Sequence, residues 1–568
     1  MLERHTHWIR TSKGFRVWHK RRPVYLSQQA PNRFALGGCL GTYRALVDGP
    51  SVTLPFCYQQ QNVIIFFRVP KTTTVDITLT NRYAWVTEAS PEVYQKLRDF
   101  YSYFAPGARW SQHYKLYLAE KAKAIKAGEP DRPLAGWDGK IKLFLRGKVP
   151  AGLFRATKID AQDVLGIRFR ISKELPELNL VQDGLVSEEQ YQYQNDCTDA
   201  MVRSLRRGGG IVLACTGAGK TKTAANFFSR LDYSCLFLVH RKNLLYQSQE
   251  ELARWLGCKV GIVGDSVFQP ERITVAMIQT LAPHMSDPKF VRWFKKIKVV
   301  LVDELHKQMA MRNFDLLHQL KPLACYGLTA TLELGLKPVR YKAWAFAGPV
   351  IFRFPLSEGV KKKVVTSGRV LQVLFPLEFN WTYEDEDYEN EYMYEVVHNE
   401  LKQRTCKALV KELIARGRAV IVIVERVAHV EALHEMFGNI EHGLAYGKIK
   451  KKERDQVKAD FESGKINLII ANQVFKDGID IKRASAIIDM AEWKSKNDTM
   501  QKFGRGVRLH EDKTDLLYVD FGTQTGRFAT NGRRRKKALV TAEVPVKTVK
   551  AHSAKRALRE LRSYMDGN

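Results

Sequence analysis

The chain has 568 residues, of which 45% are hydrophobic and 27% charged, and this length exceeds one ordinary core and predicts three or four domains. Lys and Arg number 91 against 60 Asp and Glu, and the formal net charge of +31 favours nucleic acid as a partner over an anionic membrane surface. No apolar run approaches the roughly 20 residues that cross a bilayer, which argues against a transmembrane helix.

The N-terminus and the cysteines bear on where the protein works. Residues 1–74 are basic, and their pattern predicts no fold. Residues 1–47 contain nine Lys and Arg and one acid, which leaves organelle targeting as an alternative. The scattered Trp8 and Trp18 favour a plain basic arm instead.

The cysteines indicate a reducing environment. Eight cysteines without a C-x-x-C pair argue against a zinc ribbon, an iron–sulfur cluster or a disulfide framework. We therefore expect a reduced, cytoplasmic protein.

Residues 75–185 predict a small α+β domain that binds nucleic acid. "VDITLT" is typical of a strand, "PEVYQKLRDFYSYF" of a helix, and "GWDGKIKLFLRGKVPAGLF" of a pair of strands. In that pair Lys140 and Lys142 alternate with apolar residues, so a period of two puts both lysines on one face. We expect Trp137, Lys140 and Lys142 to contact nucleic acid. The alternatives are a solvated strand face and a turn closed by a packed indole.

Two runs of alternating apolar strands and amphipathic helices follow. "IVLA", "CLFLVH", "ITVAMI", "VVLVDE" and "CYGLTAT" lie in residues 186–355, and "AVIVIVE", "NLIIAN", "SAIIDMA" and "LLYVDFG" in residues 396–530. Such alternation is typical of a parallel sheet with helices on both faces. The predicted fold class is therefore α/β, with two parallel-sheet lobes, a cleft between them, and the small α+β domain in front.

The segments outside the two lobes are rich in charge. Residues 356–395 are interpreted as a linker that contains the acidic aromatic stretch "YEDEDYENEYMYE" at 383–395. We expect this stretch to be a solvated hinge or insertion, and the alternative is a phosphate mimic that competes with DNA. Residues 531–568, which begin with "NGRRRKKAL", are interpreted as a mobile basic tail.

A phosphate-binding loop is predicted at the end of the first strand of residues 186–355. The stretch "IVLACTGAGKTKTAANFF" at 211–228 joins an apolar run to a helix through a turn with two glycines. This order aims backbone N–H groups at an anion. The pattern A-x-T-G-x-G-K-T fits every letter, and Cys215 stands at the first glycine of the longer phosphate-loop pattern. We expect ATP to be bound by Thr216, Gly217, Ala218, Gly219, Lys220 and Thr221.

An acidic pair follows the apolar run of "VVLVDELH". Asp303 and Glu304 close this strand at its C-terminal end, where an open α/β sheet binds its ligand. We expect Asp303 and Thr221 to hold Mg²⁺, and Glu304 to orient and deprotonate the attacking water. The alternative is a solvated pair in a loop, which the preceding phosphate loop makes the weaker interpretation.

Together these motifs resemble the motor of superfamily-two helicases, which has two RecA-like lobes. The first lobe carries the phosphate loop, a D-E-x-H box at 303–306 and "GLTAT" at 327–331. In the second lobe, "ANQVFKDGIDIK" at 471–482 is similar to the fifth motif of the family and "QKFGRGVR" at 501–508 to the sixth. ATP-driven motion along nucleic acid is the activity that this resemblance implies.

The resemblance also implies roles for single residues. Arg505 and Arg508, in the motif that Gln501 opens, reach the γ-phosphate as arginine fingers, which contribute about 10³ to 10⁵ in rate. Further implied roles are ATP binding by Gln194, Gly478 and Asp480, nucleic-acid contact by Arg241 and Gln247 of "LVHRKNLLYQ", and coupling by His306, Thr329 and Thr331. Asn472 and Lys502 stand where the family usually has Thr and Arg. These two departures make the resemblance a weaker guide to coupling and to contact with the nucleic-acid strand, but they leave the residues assigned to phosphate chemistry in place.

The region before the motor indicates a subfamily within the superfamily-two helicases. "LRDFYSYFAPGARW", "GWDGKIKLF" and "PAGLF" resemble the N-terminal domain of phage UvsW-type helicases, relatives of the XPB-like and RecG-like DNA motors. With the motor, this resemblance covers residues 75–530. It implies branch migration, fork regression and R-loop unwinding on branched DNA or RNA–DNA hybrids, in phage replication, recombination or repair. A single-strand-binding or recombination protein is an implied partner.

Three other functions stay open. A duplex translocase, such as the motor of a restriction enzyme, would move without separating strands, although the chain shows no nuclease box. An RNA helicase is disfavoured by the D-E-x-H box together with this N-terminal domain. A nucleic-acid binding or annealing protein with a vestigial ATPase is disfavoured because Lys220, Glu304 and Arg505 are intact.

Overall fold

The computed structural model describes residues 73–129, 136–181, 184–185, 187–308, 322–330, 337–378, 388–472, 481–492 and 495–567, and the backbone of eight earlier strands. The chain divides into two compact units. One unit consists of Met1–Ile77, Val86–Phe100 and Lys158–Ser172, and the other of Thr78–Trp85, Tyr101–Thr157 and Lys173–Asn568. None of the described helices is long and apolar enough to cross a membrane.

The first strands lie in the region for which the sequence predicts no fold. A five-stranded antiparallel sheet consists of β1 Trp8–Thr11, β2 Gly14–His19, β3 Arg22–Ala30, β4 Arg33–Gly37 and β5 Thr42–Arg44. A three-stranded antiparallel sheet consists of β6 Leu46–Asp48, β7 Ser51–Tyr58 and β8 Gln61–Arg68. The strands described between residues 8 and 68 therefore differ from the irregular basic arm that the sequence suggests.

A mixed α and β region follows. Its strands are β9 Thr73–Leu79, β10 Tyr83–Glu88, β11 Ser102–Phe104, β12 Lys140–Lys142, β13 Lys148–Pro150 and β14 Ile167–Lys173. Its helices are α1 Pro91–Phe100, α2 Gln112–Lys126 and α3 Ala151–Leu165.

The two strands predicted within residues 136–154 are present as β12 and β13. Apart from one antiparallel bridge between Leu145 and Lys148, however, they do not pair with each other. Strand β12 pairs with β11, where Lys142 lies opposite Ser102, and β13 pairs with β10, where Pro150 lies opposite Tyr83. Between them the backbone turns through Arg146 and Gly147, whose φ angles are 51° and 73°, so each short strand joins a different partner. The "AGLF" that was predicted to end the second strand begins helix α3.

The first lobe is an eight-stranded sheet in the order β18-β17-β19-β16-β20-β21-β15-β22. Its strands are β15 Gly209–Ala214, β16 Ser234–Val239, β17 Gly261–Gly264, β18 Val267–Gln269, β19 Ile273–Met277, β20 Ile297–Val302, β21 Ala324–Thr329 and β22 Val350–Phe354. Its helices are α4 Gln192–Leu205, α5 Lys220–Ser229, α6 Lys242–Leu256, α7 Ile278–Leu281, α8 Pro288–Lys296, α9 Leu305–Gln308 and α10 Lys337–Phe346. Only the edge strand β18 runs antiparallel among these described strands.

The second lobe is a seven-stranded sheet in the order β25-β26-β24-β27-β28-β23-β29, and all of its described pairings are parallel. Its strands are β23 Ser367–Phe375, β24 Val420–Ile423, β25 Gly443–Ala445, β26 Leu468–Ala471, β27 Ala486–Asp489, β28 Asp515–Thr523 and β29 Val546–Lys550. The helices are α11 Leu356–Lys361, α12 Tyr388–Tyr392, α13 Glu400–Ala415, α14 Val427–Phe437, α15 Lys451–Glu462, α16 Lys496–Gly506, α17 Gly526–Thr541 and α18 Ala554–Met565, with a π-helical turn at Met393–Val397.

Both sheets bury apolar side chains on both faces, as the sequence pattern predicts. Successive residues of β16 enter different cores, because Leu236 packs on one side of the sheet and Phe237 on the other. In the second lobe Val420 and Ile421 of β24 separate in the same way. The predicted α/β fold with two parallel-sheet lobes is confirmed.

Three segments outside the predicted lobes belong to the second lobe. Strand β23 lies between β28 and β29, so residues 367–375 are not a linker. The acidic stretch is described from residue 388 onward, and there it is only partly solvated, because Tyr392 and Glu395 are buried while Tyr388 and Tyr394 are exposed. Residues 531–568 form most of α17, all of β29 and α18, so the predicted tail is wrong. Each of these helices has one apolar side that is buried, with Leu539 on α17 and Leu561 on α18. The many charged residues on the other sides make this amphipathic pattern hard to recognise in the sequence.

Candidate nucleotide cleft

The phosphate loop joins β15 to the N-terminus of α5, as predicted. Gly217 and Gly219 have φ angles of 89° and 66°, which glycine adopts without strain. A Cβ added to Gly219 would lie 2.6 Å from Nε2 of Gln194, and one added to Gly217 would lie 2.9 Å from Val365. Both positions therefore require glycine, and the loop presents the α5 N-terminus to an anion.

Lys220 folds over the loop that precedes it. Its Nζ donates to the carbonyl oxygens of Ala214 at 3.5 Å and Cys215 at 3.4 Å. Burial raises the pKa of the Cys215 thiol to about 11, so this side chain is neutral at the first glycine position of the pattern. The long, weak bonds of Lys220 leave its ammonium available for a stronger acceptor such as a phosphate.

Asp303 and Glu304 lie directly after β20, where the sequence predicts the metal site and the base. Glu304 adopts a left-handed backbone with φ of 49°, a strain that concentrates at functional sites. Its Oε2 is buried and accepts no hydrogen bond from the described residues, although Nδ1 of His306 lies 3.3 Å away. This oxygen is therefore available to accept a hydrogen bond from a bound water molecule.

The two carboxyl groups differ in their ionisation. Burial and the neighbouring Glu304 raise the pKa of Asp303 to about 7. Burial opposes ionisation of Glu304 as well, but Lys220, His306 and Lys307 outweigh it and lower the pKa of Glu304. A second charged carboxylate beside Glu304 is thus unfavourable until a cation joins it. The oxygen-only set of Asp303 and the Thr221 hydroxyl suits Mg²⁺.

Hydrogen bonds connect the D-E-x-H box to both lobes. Nδ1 of His306 lies 2.8 Å from Oγ1 of Thr329, and its Nε2 lies 3.4 Å from Nε2 of Gln501 in the second lobe. The predicted coupling residue Thr331 lies outside the described residues. Sequence reasoning missed Lys307, whose Nζ donates to Oε1 of Gln501 at 3.2 Å and approaches Nε2 of His240 at 3.5 Å. Its position directly after the box was the available signal.

Helix α16 brings the predicted arginine fingers to the phosphate loop. A Cβ added to Gly504 would lie 2.5 Å from Oγ1 of Thr216, so the glycine permits close approach of the two lobes. Arg505 and Arg508 line one cavity of about 440 Å³ together with the loop and the acidic pair. This cavity is large enough for a nucleotide. The side chains that line it from the two lobes include Thr216, Gly217, Gly219, Lys220, Thr221, Asp303, Glu304, Gln501, Arg505 and Arg508.

Gln194 lies behind the phosphate loop. Its Oε1 accepts a hydrogen bond from Ser187 at 2.8 Å, and its Nε2 donates to the carbonyl oxygen of Ala218 at 3.4 Å. Tyr193 donates to the same carbonyl at 3.0 Å and stacks on Phe354 at a centroid distance of 3.9 Å. The structure thus brings Gln194 to the loop, and adenine recognition stays a prediction.

The predicted nucleic-acid contacts lie in two places. Arg241 and Gln247 line the same cavity as Lys220 rather than an outer face. In the N-terminal region, the indole Nε1 of Trp137 donates to the carbonyl oxygen of Lys140 at 2.9 Å and closes a turn. Nζ of Lys142 lies 3.0 Å from Oδ2 of Asp138, so its charge has a partner within the chain.

Nζ of Lys140 lies 5.8 Å from the centre of the Phe104 ring, which is a cation–π distance. Phe104 is 55% exposed. This pair is the part of the N-terminal region that best fits the predicted contact with nucleic acid.

The second-lobe motifs are described in part. The predicted ATP-binding residues Gly478 and Asp480 lie outside the described residues. Lys502, the departure from the family's usual Arg, is buried and forms bonds of 2.8 and 2.7 Å to the two carboxylate oxygens of Asp489. Tyr518 donates to the same carboxylate at 2.6 Å. Lys502 therefore holds α16 onto β27.

Two family models match the chain in the order of the two lobes. The model described as "Type III restriction enzyme, res subunit" matches residues 187–334. The model described as "Helicase conserved C-terminal domain" matches residues 401–510.

Similar proteins include helicases and a translocase of cellular and phage origin. The helicase IRC3 of Saccharomyces cerevisiae is 24% identical over 359 residues, which cover 58% of this chain and 51% of that protein. The DNA 3'-5' translocase XPB2 of Sulfurisphaera tokodaii is 23% identical over 488 residues, which cover 76% and 96%. The ATP-dependent DNA helicase uvsW of Enterobacteria phage T4 is 21% identical over 481 residues, which cover 79% and 91%. The chain thus spans about half of IRC3 and most of the other two.

Proposed function

We propose that this chain, a superfamily-two helicase resembling the UvsW and XPB types and hence an ATP-dependent nucleic-acid enzyme, acts on branched DNA or RNA–DNA hybrids. Branch migration, fork regression and R-loop unwinding in phage replication, recombination or repair are the proposed tasks. The observation that carries the motor is the single cavity to which one lobe contributes Lys220 and Glu304 and the other Arg505 and Arg508. Closure of the lobes on ATP then couples hydrolysis to motion.

Each residue of the cleft has a proposed task. Thr221 and Asp303 would hold Mg²⁺, which when bound neutralises phosphate charge. Lys220 leaves its carbonyl partners for the phosphates of ATP. Glu304 positions a water molecule at its Oε2 and takes its proton, for which its lowered pKa keeps it ionised. Arg505 and Arg508 stabilise the charge of the transition state.

The link between hydrolysis and motion runs through His306. This side chain contacts Thr329 of the first lobe and Gln501 of the second. A change at the γ-phosphate that moves Gln501 on α16 would therefore also disturb the end of β21. The contacts favour a motor in which the two lobes rearrange together.

DNA is favoured over RNA by the extent of the relationships. The two domain matches together span residues 187–510. The alignments with XPB2, named as a DNA translocase, and uvsW, named as a DNA helicase, extend over 488 and 481 residues and are therefore longer than this span. The shared part therefore includes residues outside the motor. A single-strand-binding or recombination protein, working with the motor in the cytoplasm, stays part of the proposal.

The proposal is tested by ATP turnover with no nucleic acid, single strand, linear duplex, four-way junction and R-loop, at equal nucleotide concentration. We expect the junction and the R-loop to stimulate turnover most and to be converted to separated products. Highest stimulation by a structured RNA would overturn the proposal in favour of an RNA helicase.

A second candidate is a duplex translocase that separates no strands. The match to a restriction-enzyme subunit favours it. Displacement of a triplex-forming strand from linear duplex, without any unwinding of a junction or an R-loop, would decide for this candidate.

A further inference from the structure

Helix α17 carries an unusual concentration of positive charge. Its 16 residues, "GRFATNGRRRKKALVT", contain six Lys and Arg and no acid. Five of the six are consecutive, at residues 533–537. The motor chemistry uses none of them, since the cleft is lined by other elements.

One arginine of this run fixes the rotation of the helix. Arg535 is 1% exposed, its Nε donates to Oδ1 of Asp520 at 2.8 Å, and its Nη2 donates to the carbonyl oxygen of Phe521 at 2.7 Å. On the same side, Leu539 is buried in the core of the second lobe. The buried charge pair and the apolar contact together set which side chains point outward.

The other cations of the run face solvent. Arg533, Arg534 and Lys537 are exposed and Lys536 is partly exposed. None of the four forms an ion pair with a carboxylate of the described residues, and Arg533 donates only to Oγ1 of Thr530 within its own helix, at 2.9 Å. Other surface arginines of this lobe are paired, as Arg562 is with Glu412 at 2.6 Å.

We propose that this face of α17, formed by Arg533, Arg534, Lys536 and Lys537, binds the phosphate backbone of a nucleic-acid arm outside the motor cleft. The inference rests on the proposed function and names a second contact with its substrate. From Arg533 to Lys537 the helix rises about 6 Å, and successive phosphates of one DNA strand advance about 3.4 Å along the axis. The face therefore covers two or three phosphates.

The chemistry favours phosphate over other partners. Arginine forks match phosphate oxygens in a bidentate geometry. An interfacial membrane helix needs a free apolar face, but the apolar side of α17 is already buried against the sheet. A protein partner would be expected to use apolar or aromatic anchors at the centre of its interface, whereas cations form the outward face at residues 533–537 and the exposed Val540 lies beyond them, near the end of the helix.

The position of α17 links this contact to the cleft. Leu539 of α17 and Phe503 of α16 belong to the same apolar core, and α16 carries Arg505. A nucleic-acid arm bound to α17 would move with α16 when the lobes close, because the two helices pack in one body.

The test reverses three charges, with a matched control on the other face of the same sheet. The variant is Arg533→Glu, Arg534→Glu and Lys537→Glu, and the control is Lys555→Glu, Arg556→Glu and Arg559→Glu on α18. All six side chains are exposed, and α18 packs on the core of the opposite face. Affinity for a four-way junction is measured by fluorescence anisotropy over a range of salt concentrations.

We expect the α17 variant to lower affinity at least tenfold at low salt and to reduce the slope of log K against log salt by up to about 2.7, or 0.9 for each lost phosphate contact. The control should change the slope by less than a third of that. A third protein, with Arg533→Lys and Arg534→Lys, keeps the charge and should keep the slope.

Equal losses in variant and control would overturn the inference, because net charge alone would explain them. An unchanged slope in a variant that melts like the wild type would overturn it as well. ATP turnover without nucleic acid should be the same in all proteins. If the wild-type protein shows no nucleic-acid-stimulated turnover, the proposed function fails, whatever the slopes show.

Discussion

Two charged sites, one in each lobe, differ in how their carboxylates are paired. In the first lobe Glu304 is partly buried, with a strained backbone and a buried oxygen, Oε2, that accepts no hydrogen bond from the described residues. In the second lobe Asp520 is paired with Arg535 and Asp489 with Lys502, both by short bonds within the core. Satisfied charges hold a structure together, whereas an unsatisfied one implies a ligand. The difference favours a chemical task for Glu304 and a structural task for the paired charges Asp520–Arg535 and Asp489–Lys502.

The largest expected effect follows from Lys220→Ala. We expect the rate of ATP hydrolysis to fall by about 10³, because the ammonium that meets the phosphates is lost. Junction affinity should change less than threefold, since Lys220 lies inside the cleft. Turnover and binding are measured on one preparation, and wild-type turnover would contradict a catalytic first lobe.

The second prediction concerns Glu304→Gln. The amide keeps the shape of the side chain but cannot take a proton, so we expect kcat to fall by about 10³ while ATP still binds. The measurement is single-turnover hydrolysis together with nucleotide affinity. If nucleotide affinity collapsed while bound ATP was hydrolysed at nearly the wild-type rate, Glu304 would be a structural residue.

The third prediction concerns the second lobe. Lys502→Met leaves Asp489 buried without its cation, and we expect a loss of about 3 kcal/mol in the free energy of unfolding. Asp489→Asn with Lys502→Met should recover part of that loss. Urea unfolding checks it. If Lys502→Met lowered kcat without lowering stability, the interior of the second lobe would share in the chemistry.

The fourth prediction has the smallest effect and concerns the N-terminal lysines. Lys140→Glu should reduce the salt slope of junction binding by about 0.9. Lys142→Glu should reduce it less, because Asp138 already pairs with Lys142. The two variants are compared at several salt concentrations. Equal slopes in the wild type and both variants would show that these lysines lie on a solvated strand face and do not contact nucleic acid.

Local motifs predicted the first lobe better than the second. Glycines, Lys220 and the acidic pair lie within short stretches whose spacing fixes their geometry, so the cleft followed from the sequence. Strand β23 and helix α17 were misread because their burial depends on partners far along the chain: Asp520 neutralises Arg535, and β23 pairs with β28 and β29. Lys307 was missed because its partner Gln501 comes from the other lobe.

Arginines of the second lobe are proposed to complete a catalytic site built in the first, and Arg505 is the arginine that α16 carries. This completion is the property to test. It is tested most directly by single-turnover ATP hydrolysis with Arg505→Ala, at saturating ATP and four-way junction. We expect a rate about 10³ lower than that of the wild type, with unfolding unchanged because Arg505 lines the cleft and not the core. A rate within threefold of wild type would contradict it.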